Sequence, residues 1–236
     1  GDEVVSIVSA VQYPDNYAFM GYYIVAPQYR GRGYGLKIFQ HALDYCKGCL
    51  VGLDAVESRA PTYEKIGFVT SEGSDRYVGT AKKAAVPLNV ISYQPKHFDD
   101  IAEYDKPFFP SQRRDFLKQW LVIPNAKTVV YYNDDHKLQG YGSIHKTNKG
   151  WEIAPLYADT QEIAKSILIA LVNQIDEGSY FGVNCPDTNK DAVDLFNEKD
   201  NIYGFHLYFH NLRMYKGGMP QLDIPRSFSV LSLSVG

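Results

Sequence analysis

The segment Arg30-Gly31-Arg32-Gly33-Tyr34-Gly35 sets three glycines at two-residue steps beside two arginines. Before it, Tyr17 to Val25 alternates aromatic and aliphatic residues as a strand does, and Pro27 stops the run. After it, Leu36, Phe39, Leu43 and Cys46 recur at helical spacing until Gly48. The loop therefore turns a strand directly into a helix. Backbone N–H groups and the positive end of the helix converge there, an arrangement that holds a phosphate. The glycine spacing is not that of the dinucleotide G-x-G-x-x-G, and no Gly-Lys-Ser/Thr ending makes a nucleotide P-loop. A plain turn that uses glycine only for positive φ requires fewer glycines than this.

Other residue types with chemistry are set less tellingly. Cys46-Lys47-Gly48-Cys49 has the spacing of a redox or zinc pair. Cys46 closes a helix, however, where the dipole disfavours a thiolate, and a zinc knuckle needs two further ligands that only Cys185 and scattered histidines offer. The pair is read as incidental. His206 and His210 are placed on one face of a strand with no third ligand near, so no metal is expected.

The elements around the loop come in a fixed order. Val4 to Val11 and Tyr17 to Val25 form an antiparallel pair, the helix follows, Leu50 to Val56 is a short apolar strand, and Thr62 to Ile66 a short helix. Phe68-Val69 and Tyr77-Val78 are β-type pairs. The pattern lapses near Ala81 to Pro87 and resumes with a strand at Leu88 to Tyr93, then helices at His97 to Tyr104 and Gln112 to Leu121 around the rigid Pro107-Phe108-Phe109-Pro110. Strands at Lys127 to Tyr132, Leu138 to Lys146 and Trp151 to Leu156 precede a helix capped by Asp159 or Thr160. Tyr180 to Asn184, Lys190 to Asn197 and Phe205 to Met214 then read as strand, helix and strand. The second half repeats the order of the first, with Gly67-Phe68 and Gly204-Phe205 in equivalent places, so two related units are expected at residues 1–85 and 86–236.

Arg30-x-x-Gly33-x-Gly35 resembles the Arg/Gln-x-x-Gly-x-Gly/Ala loop of the GNAT superfamily of N-acetyltransferases. The flanking Val25-x-Pro27-x-Tyr29 is typical of it, and Tyr63-x-x-x-Gly67-Phe68 matches its Tyr-x-x-x-Gly-Phe. Two linked motifs make the match specific over residues 1 to about 80. Beyond residue 88 the resemblance lies in element order alone. It implies an α+β fold of two units, each a twisted, mostly antiparallel sheet flanked by helices. The first is short of its usual amino-terminal elements and the second degenerate. It implies acetyl-CoA as cosubstrate, with the backbone of Gly31, Arg32, Gly33, Tyr34, Gly35 and Leu36 on the pyrophosphate and Tyr23, Ile24 and Val25 paired with the pantetheine arm. Arg30 and Arg32 add charge to the phosphates or stand solvated. Tyr63 takes the family's place beside the sulfur as general acid for the departing thiolate, with simple packing as the alternative. Ala60 keeps the family's alanine. Glu57 replaces the usual asparagine, and acts as a base toward the incoming amine or is merely solvated.

The resemblance leaves two functions open. One is an N-acetyltransferase acting by direct attack of a small-molecule or peptide amine on the thioester. The other is an acyl-CoA-binding or protein-interaction module that keeps the fold without turnover. Only 29 residues precede Arg30, so either the chain is a fragment or the second unit supplies the missing wall, and the short amino end favours the second function for the chain as given. The stretch from Pro107 to Trp120 is the candidate for that wall. The second unit has Ala154-Pro155-Leu156-Tyr157-Ala158-Asp159-Thr160 where the glycine loop would stand, and Asp159 is expected to cap the helix and exclude a phosphate.

The chain of 236 residues is 45% hydrophobic and 22% charged, which suits a folded globular protein. Its net charge is -3, with no basic run to attract nucleic acid. No apolar run approaches the roughly 20 residues of a bilayer span. Three cysteines do not build a disulfide framework, so the chain is read as cytoplasmic.

Overall fold

The computed structural model describes residues 3–199 and 201–236. Strands β1 (Ser6–Tyr13) and β2 (Tyr17–Val25) lead to helix α1 (Tyr34–Tyr45), β3 (Leu50–Val56), α2 (Ala60–Glu64) and β4 (Val69–Thr80). The second half runs β5 (Val90–Ser92), α3 (Phe98–Asp105), α4 (Arg114–Trp120), β6 (Lys127–Tyr132), β7 (Leu138–Thr147) and β8 (Gly150–Ala158). It continues through α5 (Gln161–Val172), β9 (Tyr180–Pro186), α6 (Lys190–Asn197), β10 (His206–Lys216) and β11 (Ser227–Ser229). No helix among the described residues is long and apolar enough to cross a membrane.

All eleven strands join one sheet, in the order β1-β2-β3-β10-β4-β9-β8-β7-β6-β5, with β11 beside β8. The two halves are therefore built into each other. β10, from the end of the second half, lies between β3 and β4 of the first and is antiparallel to both. β4 in turn lies between β10 and β9. The sequence division at residue 85 separates two stretches of chain but not two sheets, because each half contributes a strand that completes the other.

This exchange explains β4. Residues Ser71 to Asp75 are polar and conceal the strand from a periodicity reading, yet β10 runs beside them and β9 joins on the other side from Ser74 onward. Glu72 stands opposite Arg213, Ser74 opposite Asn211 and Asp75 opposite His210. His210 Nδ1 lies 2.7 Å from the Asp75 carboxylate. His206 stands opposite Val78, three residues from Asp75 on β4, so the two histidines face opposite sides of the sheet. A bulge between Leu207 and Phe209 inserts the extra residue and overturns the expectation of a shared face.

One face carries the helices. Ala18, Met20, Val51, Leu53 and Met214 pack under Phe39 and Ala42 of α1, while Ile153, Leu156 and Val183 pack under Ile167 and Leu171 of α5. The other face of the first half carries Tyr17, Phe19 and Tyr215, and Phe109 covers them, its ring edge-on to Tyr17 at 5.1 Å. The Pro107 to Trp120 stretch thus divides: Phe109 covers the first half, whereas Trp120 donates to the Ala154 carbonyl at 2.8 Å in the second.

Beside Phe19, Arg213 of β10 grips Asp54 of β3 with Nε–Oδ1 2.6 Å and Nη2–Oδ2 2.9 Å, and both side chains are buried. Burial opposes the Arg213 charge, but Asp54 more than restores it and holds the guanidinium protonated. At the equivalent register of the second half, Arg76 bonds Asn184 and Glu152, each at 3.1 Å. Removing one partner of a buried pair strands the other charge. Arg213→Ala is therefore expected to cost about 3–5 kcal/mol of stability. Denaturant unfolding checks it, and a loss below about 1 kcal/mol, the level of an exposed pair, would contradict the coupling.

Candidate functional site

β2 and β3 are parallel and pair only from Tyr17↔Leu50 to Met20↔Leu53, after which they part. The departure is built into β2. Between Gly21 and Ile24 the register with β1 slips by one residue, and Tyr22 sits there at φ +49°. A bulge of this kind leaves a backbone group unpaired and bends its strand, here away from β3. Tyr17 to Met20 are buried, whereas Tyr22 to Ile24 are exposed. The parting strands bound a cleft of about 660 Å³ that runs from Met20 and Leu53 to the glycine loop.

The three loop glycines answer two demands. Gly31 and Gly33 have φ of +74° and +83°, with open space where a Cβ would stand, so only the backbone conformation selects them. Gly35 is helical, and a Cβ there would overlap the Tyr23 hydroxyl, so it is selected by close approach. Gly33 is the N-cap of α1 and supplies no side-chain acceptor, and the first turn holds no acidic residue. The first-turn N–H groups therefore lack helical partners and face the cleft mouth with the positive end of the dipole. Arg30 folds back, its Nε donating to the Val25 carbonyl at 3.1 Å.

Tyr63, on α2, packs among Phe39 at 5.6 Å and Phe68 at 6.1 Å. Burial raises its pKa, Tyr23 adds to the rise, and the Arg59 charge opposes it. The hydroxyl thus stays protonated at neutral pH, the state a proton donor needs.

Of the residues expected at the site, Tyr23, Ile24, Val25, Arg30, Gly31, Gly33, Gly35, Leu36 and Tyr63 line this cleft. Arg32 instead lies over the Tyr29 ring at 5.5 Å, and Tyr34 stands beside the same ring. Ala60 is buried in the core beneath α1. Glu57 is exposed and outside the lining. Among the other residues that line the cleft, Asp54, Arg59, Thr62 and Leu233 carry polar groups or arrive from outside the two motifs. Arg59 and Thr62 lie between the two motifs, close before Tyr63, so their place in the sequence already points to the site. Asp54 is the residue after the last β2–β3 pair, and Leu233 arrives from the far end of the chain; local pattern marks neither.

The matching place in the second half is closed. β8 and β9 pair only at Trp151↔Phe181 and Glu152↔Gly182 before they part. β11 enters the gap, pairing antiparallel with β8. Ser229 Oγ donates to the Ile153 carbonyl at 2.8 Å and accepts from the Asn184 N–H at 3.0 Å, and the Val230 N–H donates to the Asn184 carbonyl at 2.8 Å. Phe228 is fully buried. The helix that follows is capped by Thr160, whose Oγ1 accepts from the Ile163 N–H at 3.3 Å. Asp159 does not cap it, because its carboxylate is taken by the Tyr104 hydroxyl at 2.7 Å and Arg226 at 2.9 Å.

Cys46 is buried, Cys49 half-buried, and neither forms a disulfide. Burial raises the Cys46 thiol, the direction opposite to a reactive cysteine. No group of three or more metal-ligating side chains comes together among the described residues.

Comparison with known proteins places both halves among acetyltransferases. The acetyltransferase (GNAT) domain model matches residues 101–228, and the acetyltransferase (GNAT) family model residues 1–68. The holothin acyltransferase of Pseudoalteromonas sp. (strain SANK 73390) is 29% identical over 236 residues, covering the whole of this chain and 79% of that protein. The uncharacterized N-acetyltransferase YitH of Bacillus subtilis (strain 168) is 25% identical over 64% of this chain and 55% of its own length. A putative acetyltransferase from Pyrococcus horikoshii shares the fold at TM-score 0.81 and 23% identity, over 98% of this chain and 76% of that one. A tandem GNAT protein from the clavulanic acid biosynthesis pathway shares it at TM-score 0.65 and 13% identity, over 93% and 81%.

Proposed function

The chain belongs to the GNAT acetyltransferase family, and we propose that its first half binds acetyl-CoA and transfers the acetyl group to an amine by direct attack. One observation carries the reading: the parting of β2 and β3 is open and runs into a glycine loop, while the same parting in the second half is filled by β11.

Acetyl-CoA is the cosubstrate here. Its pyrophosphate suits the first-turn N–H groups of α1 and the loop backbone from Gly31 to Leu36, where no acidic side chain competes. Arg30 and Arg59 line the same cleft and add positive charge. The edge of β2 at Tyr23 and Ile24, which β3 leaves, offers backbone groups to the amide-bearing arm. The bulge at Tyr22 leaves exposed backbone where negative charge would develop on the thioester carbonyl as the amine adds.

In the reaction the amine nitrogen forms a bond to the acetyl carbon and the carbon–sulfur bond breaks. Tyr63 gives its proton to the departing thiolate, and the nitrogen loses a proton in turn. Glu57, exposed and outside the lining, reaches that proton only through water.

Two variants test the parts separately. Gly33→Glu forces an L residue into φ +83° and adds a negative charge at the anion site. Acetyl-CoA affinity by calorimetry should fall by about a hundredfold or more, while stability drops by only about 1 kcal/mol. Unchanged affinity would remove the loop from the site. Tyr63→Phe should lower kcat by about a hundredfold, with the acetyl-CoA dissociation constant shifting by less than about threefold. The readout is thiol release with a panel of amines. A protein that only binds acyl-CoA would pass the first test and show no turnover in the second.

A further inference from the structure

Apart from one residue, the lining of the cleft comes from the segment Met20 to Tyr63. The exception is Leu233, which reaches the cleft from the chain's last residues, beyond β11. This tail is fixed along its length. Leu231 is buried. Ser232 Oγ accepts from the N–H groups of Ser234 at 3.0 Å and Val235 at 3.3 Å, which folds the tail into a compact turn. The Tyr13 hydroxyl donates to the Val235 carbonyl at 2.7 Å and ties that turn to β1.

The place where the tail lands is specific. Gly21 is the residue after the last pair between β2 and β3, Met20↔Leu53. A Cβ on Gly21 would overlap the Ser234 carbonyl oxygen, so the glycine is what lets the tail lie on β2 there. The cleft thus has an open end at the glycine loop and a closed end where the strands meet, and Leu233 joins its lining one residue before Ser234, which lies on β2 at that closed end. The anion site holds the phosphate end of the cosubstrate at the loop, so the acyl group travels toward the closed end.

We infer that Leu233 sets the upper limit on the acyl chain this cleft accepts, admitting acetyl and propionyl thioesters and excluding longer linear ones. The inference rests on the acyl-CoA reading of the cleft and adds to it a specificity-determining residue. β11 anchors the tail in the gap of the second half, so the half that holds no cosubstrate of its own fixes the acyl selectivity of the other.

The test is calorimetric titration of the whole chain with CoA, acetyl-CoA, propionyl-CoA and hexanoyl-CoA, for the wild type, Leu233→Ala and Leu233→Phe. Wild type should bind acetyl-CoA at least about tenfold more tightly than hexanoyl-CoA, since each methylene forced against a wall is worth a factor of this order. Leu233→Ala should bring that ratio to within about twofold, and Leu233→Phe should extend the penalty to propionyl-CoA, both by the same pocket arithmetic. A wild type indifferent to chain length, or one ratio shared by all three proteins, would overturn the role of Leu233. Failure of wild type to bind plain CoA would overturn the reading of the cleft itself, a separate and recognisable outcome.

Discussion

The antiparallel pairing of β10 with β4 is the contact on which the rest of the molecule depends. β10 also pairs with β3 and β4 also pairs with β9, so the ladder passes without a break from the first half to the second. A strand withdrawn from the middle of a sheet leaves two rows of unpaired N–H and C=O groups, which is costly when they are buried. Neither half therefore closes its own sheet. The polar row that this pairing creates, with Arg213 between Asp54 and Glu72, would be intolerable in a core and is tolerable here because each charge faces a partner on the neighbouring strand.

The same logic of unfilled backbone separates the two halves in structure. Each has a pair of parallel strands that meet for a few residues and then part, leaving polar edges facing one another. An edge inside a folded chain must find a partner, and a peptide-like ligand or a stretch of the chain itself will serve. In the second half the chain serves, as β11. In the first half the gap stays open, and the helix at its mouth has no side-chain cap, whereas Thr160 caps the corresponding helix of the second half. One arrangement repeated within a chain thus yields one open gap and one filled gap, and the difference is made by a three-residue strand and a helix cap.

Much of this was legible from short-range pattern. Leu50 to Val56, Lys127 to Tyr132 and Lys190 to Asn197 appear with the bounds that their periodicity implied, and the strand-loop-helix around Gly33 lies where the residue types put it. What stayed hidden shares one physical character: it depends on partners distant in sequence. β4 did not show as one strand because its polar middle is acceptable only beside β10 and β9. Ser227-Phe228-Ser229 carries no strand signal, since what makes it a strand is the gap it enters. Periodicity also assumes an unbroken ladder, and the bulge near Tyr208 turned His206 to the face opposite His210. At the site, backbone function was readable through glycine, but the lining by Asp54 and Leu233 follows from where strands part and where a tail lands.

One parting of strands is open and the other is occupied by the chain, and the open one is proposed to take acyl-CoA. The most direct test of that proposal is the stoichiometry of acetyl-CoA binding to the full chain, measured by calorimetric titration of protein whose active concentration is set independently. One equivalent per chain is the predicted result. Two equivalents would show that β11 yields its gap to the ligand, and an absence of binding would show that the open cleft of the first half is not an acyl-CoA site; either result would contradict a single acyl-CoA site in the first half.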